Sequence, residues 1–179
     1  MAKPKIATVW LGGCSGCHMS FLDIDERLID LAGKIDLVYS PIMDVKEFPP
    51  YADITLVEGA VANDEHAELA KIIRRNSKLV VSFGDCAVTG NVTAMRNHLE
   101  LDAVLSRSYI ELADLTPQIP RDYNTIAELM KTARPLHEII KVDAFIHGCP
   151  PTADQIWHAL NELLQNRIPV ASNVYLRYG

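Results

Sequence analysis

No stretch of this 179-residue sequence approaches the roughly 18 consecutive apolar residues of a membrane span. Basic residues are in the minority, with 17 Lys and Arg against 23 Asp and Glu and a formal charge of −6. A chain of that sign has no global field to attract nucleic acid, and no basic stripe with interleaved aromatics is present. Arg74 and Arg75 stand as an isolated pair, expected on a solvated helix face. The first residues, Met1 to Lys5, lead straight into a strand-like run with no signal-peptide core, cleavage site or twin-arginine pair, so the chain is expected in the cytoplasm. Cysteine is scarce. In that compartment thiols stay reduced, and four of them point to metal ligands or catalytic thiols rather than two disulfides.

Internal repeats and low-complexity linkers are also missing, while 49% of residues are hydrophobic and 22% charged, which excludes disorder and suits a packed core. The length fits a single domain over residues 1–179. What recurs is a strand followed by a helix. Ile6 to Leu11 is an apolar run ended by Gly12-Gly13, the pattern of a buried parallel strand. Phe21, Leu22, Ile24, Leu28, Ile29 and Leu31 then fall at helical spacing. Further strands are read at Ile35–Ser40, Ile54–Val57, Leu79–Phe83 and Val142–Ile146, with helices over 63–76 and from Thr152 to about Asn166. Five strands alternating with helices predict an α/β, flavodoxin-like, doubly wound domain with a largely parallel five-stranded sheet, in the order 2-1-3-4-5. Residues 100–141 fit least. They carry Pro117, Pro120 and Pro135 and a short predicted helix near Thr125–Thr132, and read as either an irregular excursion or a partner-contact surface.

Every cysteine follows a predicted strand. Cys14 and Cys17 come after the first strand, Cys86 after the fourth in Gly84-Asp85-Cys86, and Cys149 after the fifth in Gly148-Cys149-Pro150-Pro151. In an open parallel sheet the carboxyl ends of the strands share one rim, where ligands bind. Four thiolates converging there match an iron–sulfur cluster or a structural zinc. Closed zinc sites usually use two short knuckles, whereas this chain has one pair and two distant single cysteines, which favours the cluster. A thioredoxin-like pair would explain Cys14 and Cys17 but leave Cys86 and Cys149 without a role. Glycines beside the cysteines are expected to aim backbone N–H groups at cluster sulfurs.

Trp10 to Cys17 (WLGGCSGC), Val57-Glu58-Gly59-Ala60, Gly84-Asp85-Cys86-Ala87 and Gly148-Cys149-Pro150-Pro151 together resemble the small subunit of [NiFe] hydrogenases, a superfamily that includes the 20-kDa subunit of NADH:ubiquinone oxidoreductase. The resemblance spans nearly the whole chain. It implies that Cys14, Cys17, Cys86 and Cys149 bind one [4Fe-4S] cluster facing a nickel–iron centre held by a separate large subunit. Relatives of the respiratory complex carry adjacent cysteines in the first motif; here Cys14 and Cys17 are spaced as in hydrogenases. With no cysteine left over before Gly179, the chain resembles the short small subunits of cytoplasmic, bidirectional NAD(P)-linked hydrogenases, whose diaphorase subunits carry further clusters and a flavin. Many small subunits place a glutamate just before the first cysteine, where this chain has Gly13, so protons are expected to leave through the large subunit. An electron carrier of related type without NAD coupling, and a zinc- or flavin-binding module, are the competing readings.

Single residues carry paired expectations. Glu58 and Asp85, on the cysteine rim, either move protons or accept backbone hydrogen bonds, with the second role favoured. His18 either donates to a cluster sulfur or acts at the subunit interface, or sits on the surface at a helix start, and His147 is ambiguous in the same way. Trp10 is read as core packing or as a contact for the large subunit or a flavin. FMN on this chain is the less favoured cofactor, because Gly12–Cys17 occupies the place of a Ser/Thr-rich phosphate loop.

Overall fold

The computed structural model describes residues 2–122 and 124–169. Its main sheet is built from β1 (Lys5–Trp10), β2 (Asp36–Tyr39), β3 (Ala52–Glu58), β5 (Ser77–Phe83) and β7 (Ala144–Ile146). Their order is β2-β1-β3-β5-β7, with every neighbouring pair parallel. Counting only these five strands, that is the expected 2-1-3-4-5 order. A two-stranded antiparallel ribbon of β4 (Val61–Asn63) and β6 (Leu129–Arg134) lies beside it. The helices are α1 (Gly16–Leu22), α2 (Arg27–Lys34), α3 (Asp64–Asn76), α4 (Asp85–Thr89), α5 (Leu101–Ser106) and α6 (Ala153–Leu164). Gly179, the end up to which cysteines were counted, lies outside the described residues.

Strand alternation divides the core in two. Side chains two apart share a face, so Ile6, Ile54, Leu56, Val81 and Phe83 pack on one side with Ile24, Leu31, Leu160 and Leu163 from the α1–α2 region and α6. Val9, Val57 and Val80 point the other way, against Ala70 and Ile73 of α3 and against Leu136 and Ile140. This is why the strands read as unbroken apolar runs: both faces are covered.

Caps set the helix starts. Asn63 accepts from the His66 N–H at 2.7 Å, and Thr152 and Gln155 form a reciprocal capping box. Three expectations need correction. The helical pattern from Phe21 to Leu31 splits into α1 and α2, because Asp25 takes a φ of +54 and the turn drives Ile24 into the core. The short helix expected near Thr125–Thr132 is absent: 125–128 are turn and irregular backbone, and Leu129–Thr132 open β6. Tertiary pairing overrides local preference there: the Asn97 side chain both accepts from and donates to the Ala133 backbone at 2.8 Å, and Arg96 donates to the carbonyls of Ala62, Met130 and Lys131. Arg74 is not merely solvated. Its guanidinium binds Asp143 at 2.6 Å and the carbonyls of Ser77, Lys78 and Lys141, while Arg75 is exposed.

Candidate metal centre

Parallel strands leave their carboxyl ends on one edge, and the chain leaves that edge three times in the loops that carry cysteine. After β1 the backbone crosses the turn that follows β3: Leu11 donates to the Glu58 carbonyl at 2.8 Å, and Gly12 and Ala60 exchange hydrogen bonds at 2.9 and 2.8 Å. Gly59, with φ +90, lets the two turns touch, since a β-carbon there would meet the backbone of Leu11 and Gly12 at 2.9–3.0 Å. Cys14 emerges exposed, and Cys17 is buried in the first turn of α1. Cys86 is half-buried in α4, directly after β5, and Cys149 is exposed after β7, before a cis proline.

The loops are tied to one another. Gly84 donates to Ile146, and Asp85 donates to the Gly148 carbonyl at 2.9 Å while its carboxylate accepts from the Gly148 N–H at 2.9 Å. Ser20, buried in α1, donates to the Pro151 carbonyl at 2.5 Å. Thr93 donates to Gly12, and the Asn91 amide donates to the Cys149 sulfur at 3.2 Å. Asn91, Thr93 and Ser20 are site residues that sequence reasoning missed. The nearest signal was Gly90, a left-handed helix end four residues after Cys86 that turns the chain back over the rim. Asp85 takes the structural role expected of it. The glycine expectation is corrected at Gly148, whose N–H is bound by the Asp85 carboxylate rather than aimed at sulfur; the N–H groups of Gly12 and Gly84 are taken by the carbonyls of Ala60 and Ile146.

The other cysteines act on the Cys17 and Cys86 thiols. Burial holds the Cys17 thiol strongly toward its neutral form, and the charges of Glu58, Cys86, Cys14 and Cys149 add to that effect. Burial also raises Cys86, against hydrogen bonds from Thr93 that lower it and alongside Cys149 and Cys14, which raise it further. A pocket that disfavours thiolate in this way needs an inserted positive group to hold several thiolates at once. Among the described residues no three His, Cys, Asp or Glu side chains close on one point as a single ion requires. The donor set is all sulfur, and the space beside it is reserved: a β-carbon at Gly84 would lie 2.1 Å from the Cys17 sulfur. An all-sulfur donor set of one pair and two single cysteines, with Cys17 seated on a position that only glycine leaves open, fits an iron–sulfur cluster.

Beneath Cys17 lies a polar pair. Glu58, 2% exposed, accepts from the Cys17 and His18 N–H groups at 3.4 and 3.1 Å and is bound by His18 Nδ1. The surface reading of His18 is thereby corrected: its ring is buried, drawn inward by the Glu58 carboxylate. Trp10 is not core but 39% exposed, its ring edge-on to His18 at 5.4 Å. It borders an apolar pocket of about 440 Å³ that Phe21, Leu22, Leu31 and Leu37 also line. His147 is half-buried, with its ring stacked near Phe145 at 6.5 Å.

Residues 14–163 match the family described as NADH ubiquinone oxidoreductase, 20 Kd subunit. The chain is 39% identical, over 97% of its length and 86% of the relative's, to the NAD-reducing hydrogenase HoxS subunit delta of Cupriavidus necator. It is 40% identical to a subunit of the F420-non-reducing hydrogenase of Methanothermobacter thermautotrophicus, across 90% of its own length but only 54% of that longer protein. Its fold superimposes on a chain in the crystal structure of an NAD+-reducing [NiFe]-hydrogenase in the H2-reduced state, with a TM-score of 0.93, 40% identity and 99% of both chains covered.

Proposed function

The chain belongs to the NADH ubiquinone oxidoreductase 20 Kd subunit family, and from that premise we propose that it is the electron-transfer small subunit of an NAD-linked [NiFe] hydrogenase. Cys14, Cys17, Cys86 and Cys149 would hold one [4Fe-4S] cluster, which when bound supplies one-electron transfer. The observation that carries this reading is the convergence of three cysteine-bearing strand-end loops on one rim, tied to one another by hydrogen bonds, with Cys17 seated against Gly84. The chain's own residues do the holding: the Asp85–Gly148 and Ser20–Pro151 bonds tie the loops together, and Asn91 orients the Cys149 sulfur. Two of the four thiols, Cys14 and Cys149, are exposed, as suits a site that exchanges electrons with another chain. The expected partners are a large subunit bearing the nickel–iron centre and diaphorase subunits bearing further clusters and a flavin, all in the cytoplasm. Among the described residues no helix is long and apolar enough to cross a membrane.

The similarity to a hydrogenase component whose name excludes F420 reduction keeps a second reading in view, a hydrogenase small subunit without NAD coupling. One experiment separates these outcomes. The complex is captured anaerobically through this chain and assayed for nickel, iron, acid-labile sulfide and H2-dependent NAD reduction. We expect all four, and loss of iron and NAD reduction in Cys149→Ala. Nickel, iron and sulfide without NAD reduction would favour the second reading. Zinc in place of iron, or an active Cys149→Ala complex, would overturn both.

A further inference from the structure

A buried carboxylate and a buried imidazole lie directly under Cys17, and holding the fold together does not require that either be chargeable. Glu58 ends β3 in the middle of the sheet, in register with Trp10 of β1 and Phe83 of β5. At that position, 2% exposed, an apolar side chain would fill the space at no desolvation cost. The carboxylate instead takes the N–H groups of Cys17 and His18 and the Nδ1 of His18. The imidazole is held edge-on between Trp10 at 5.4 Å and Phe83 at 6.0 Å. Its Nε2 is buried without a partner among the described residues, of which Glu58 is the one hydrogen-bonded to the ring.

We propose that Glu58, clamped by His18, is a positioning residue for Cys17 and a fixed negative charge that holds down the reduction potential of the group bound at that sulfur. The inference rests on the cluster reading above. Its geometry has two parts. The clamp sets where Cys17 stands, because both N–H groups at the start of α1 end on one carboxylate. The same carboxylate is cut off from solvent, so water does not screen its field. An electron added beside the Cys17 sulfur meets the field of this buried carboxylate, which is hydrogen-bonded to the Cys17 N–H.

The test is a redox titration of the intact, anaerobically purified complex, following the reduced cluster by its paramagnetic signal, in wild type and in Glu58→Gln. The amide keeps the shape and one acceptor oxygen but loses the charge, so the potential should shift upward at unchanged iron and sulfide content. An unchanged or lower potential at full iron content overturns this inference and leaves the cluster reading standing. Absence of iron and sulfide from the wild-type complex sinks the cluster reading itself. If Glu58→Gln fails to assemble, His18→Phe provides the second measurement. It removes the donor that disperses the carboxylate charge, and the potential should fall; no shift would overturn the inference.

Discussion

A β-carbon at residue 84 would lie 2.1 Å from the Cys17 sulfur, on a backbone with φ +80 and ψ 161 that only glycine adopts readily. Gly84→Ala should therefore have two separable effects. Backbone strain of about 1–3 kcal/mol should lower the denaturation midpoint, and displacement of the sulfur should lower iron occupancy. Gly33→Ala is the control, since a β-carbon there, within α2, meets nothing within 4 Å. It should keep full iron and gain up to about 1 kcal/mol from helix propensity. Equal iron in the two variants would show that the Gly84 cradle does not matter. At this scale the cysteines are plain in the sequence, because thiols are few and each follows a strand. The Glu58–His18 clamp is not, because nothing local links residues forty apart.

Among the elements, the joint between α3, β5 and the entrance to β7 depends on one ion pair. Asp143 accepts from Arg74 at 2.6 Å and from the Val80 N–H at 2.9 Å. Burial pushes its carboxyl up, but the Arg74 and Val80 hydrogen bonds, the Arg74 charge and Lys141 together bring it below the ordinary carboxylate value. A carboxylate depressed in the folded state contributes stability that is complete above its unfolded value, about 4, and is lost as pH falls through the folded value. Thermal midpoints of the wild type should thus drop below about pH 4, and Asp143→Asn should flatten that acid limb. An identical acid limb in the variant would assign it to other carboxylates. Element identity was legible wherever apolar runs and caps agree, as in β1, β3, β5, α3 and α6. It failed at β6, where pairing with β4 and the Asn97 side chain sets the conformation.

For the molecule as a whole, the sheet separates two apolar cores that share no residue. Leu160 is fully buried on the α6 side and Leu136 on the α3 side. Truncating either to alanine should cost about 2–5 kcal/mol in denaturant unfolding. Because the sheet lies between them, the double variant should equal the sum of the single effects within about 0.5 kcal/mol. Clear non-additivity would mean that the layers repack together. Leu136 belongs to the stretch after β6, so a large cost there would also show that the 100–141 excursion is anchored in the core at its end, even though Leu112 and Leu115 lie exposed.

Periodicity and composition alone determined the five strands of the sheet and the side on which the cysteines gather, because parallel strands must point their carboxyl ends one way and apolar runs of that length must be buried on both faces, while the strand order followed only from the fold class. The three cysteine motifs together with Val57-Glu58-Gly59-Ala60 carried the family resemblance. Only the tertiary structure decided where each remaining polar group went. It turned His18 inward to Glu58, bound the Gly148 N–H to Asp85 rather than sulfur, and gave Asn91 to Cys149. Those choices depend on which loops come within a hydrogen bond of each other across the rim, and buried polar atoms must be paired wherever packing leaves them.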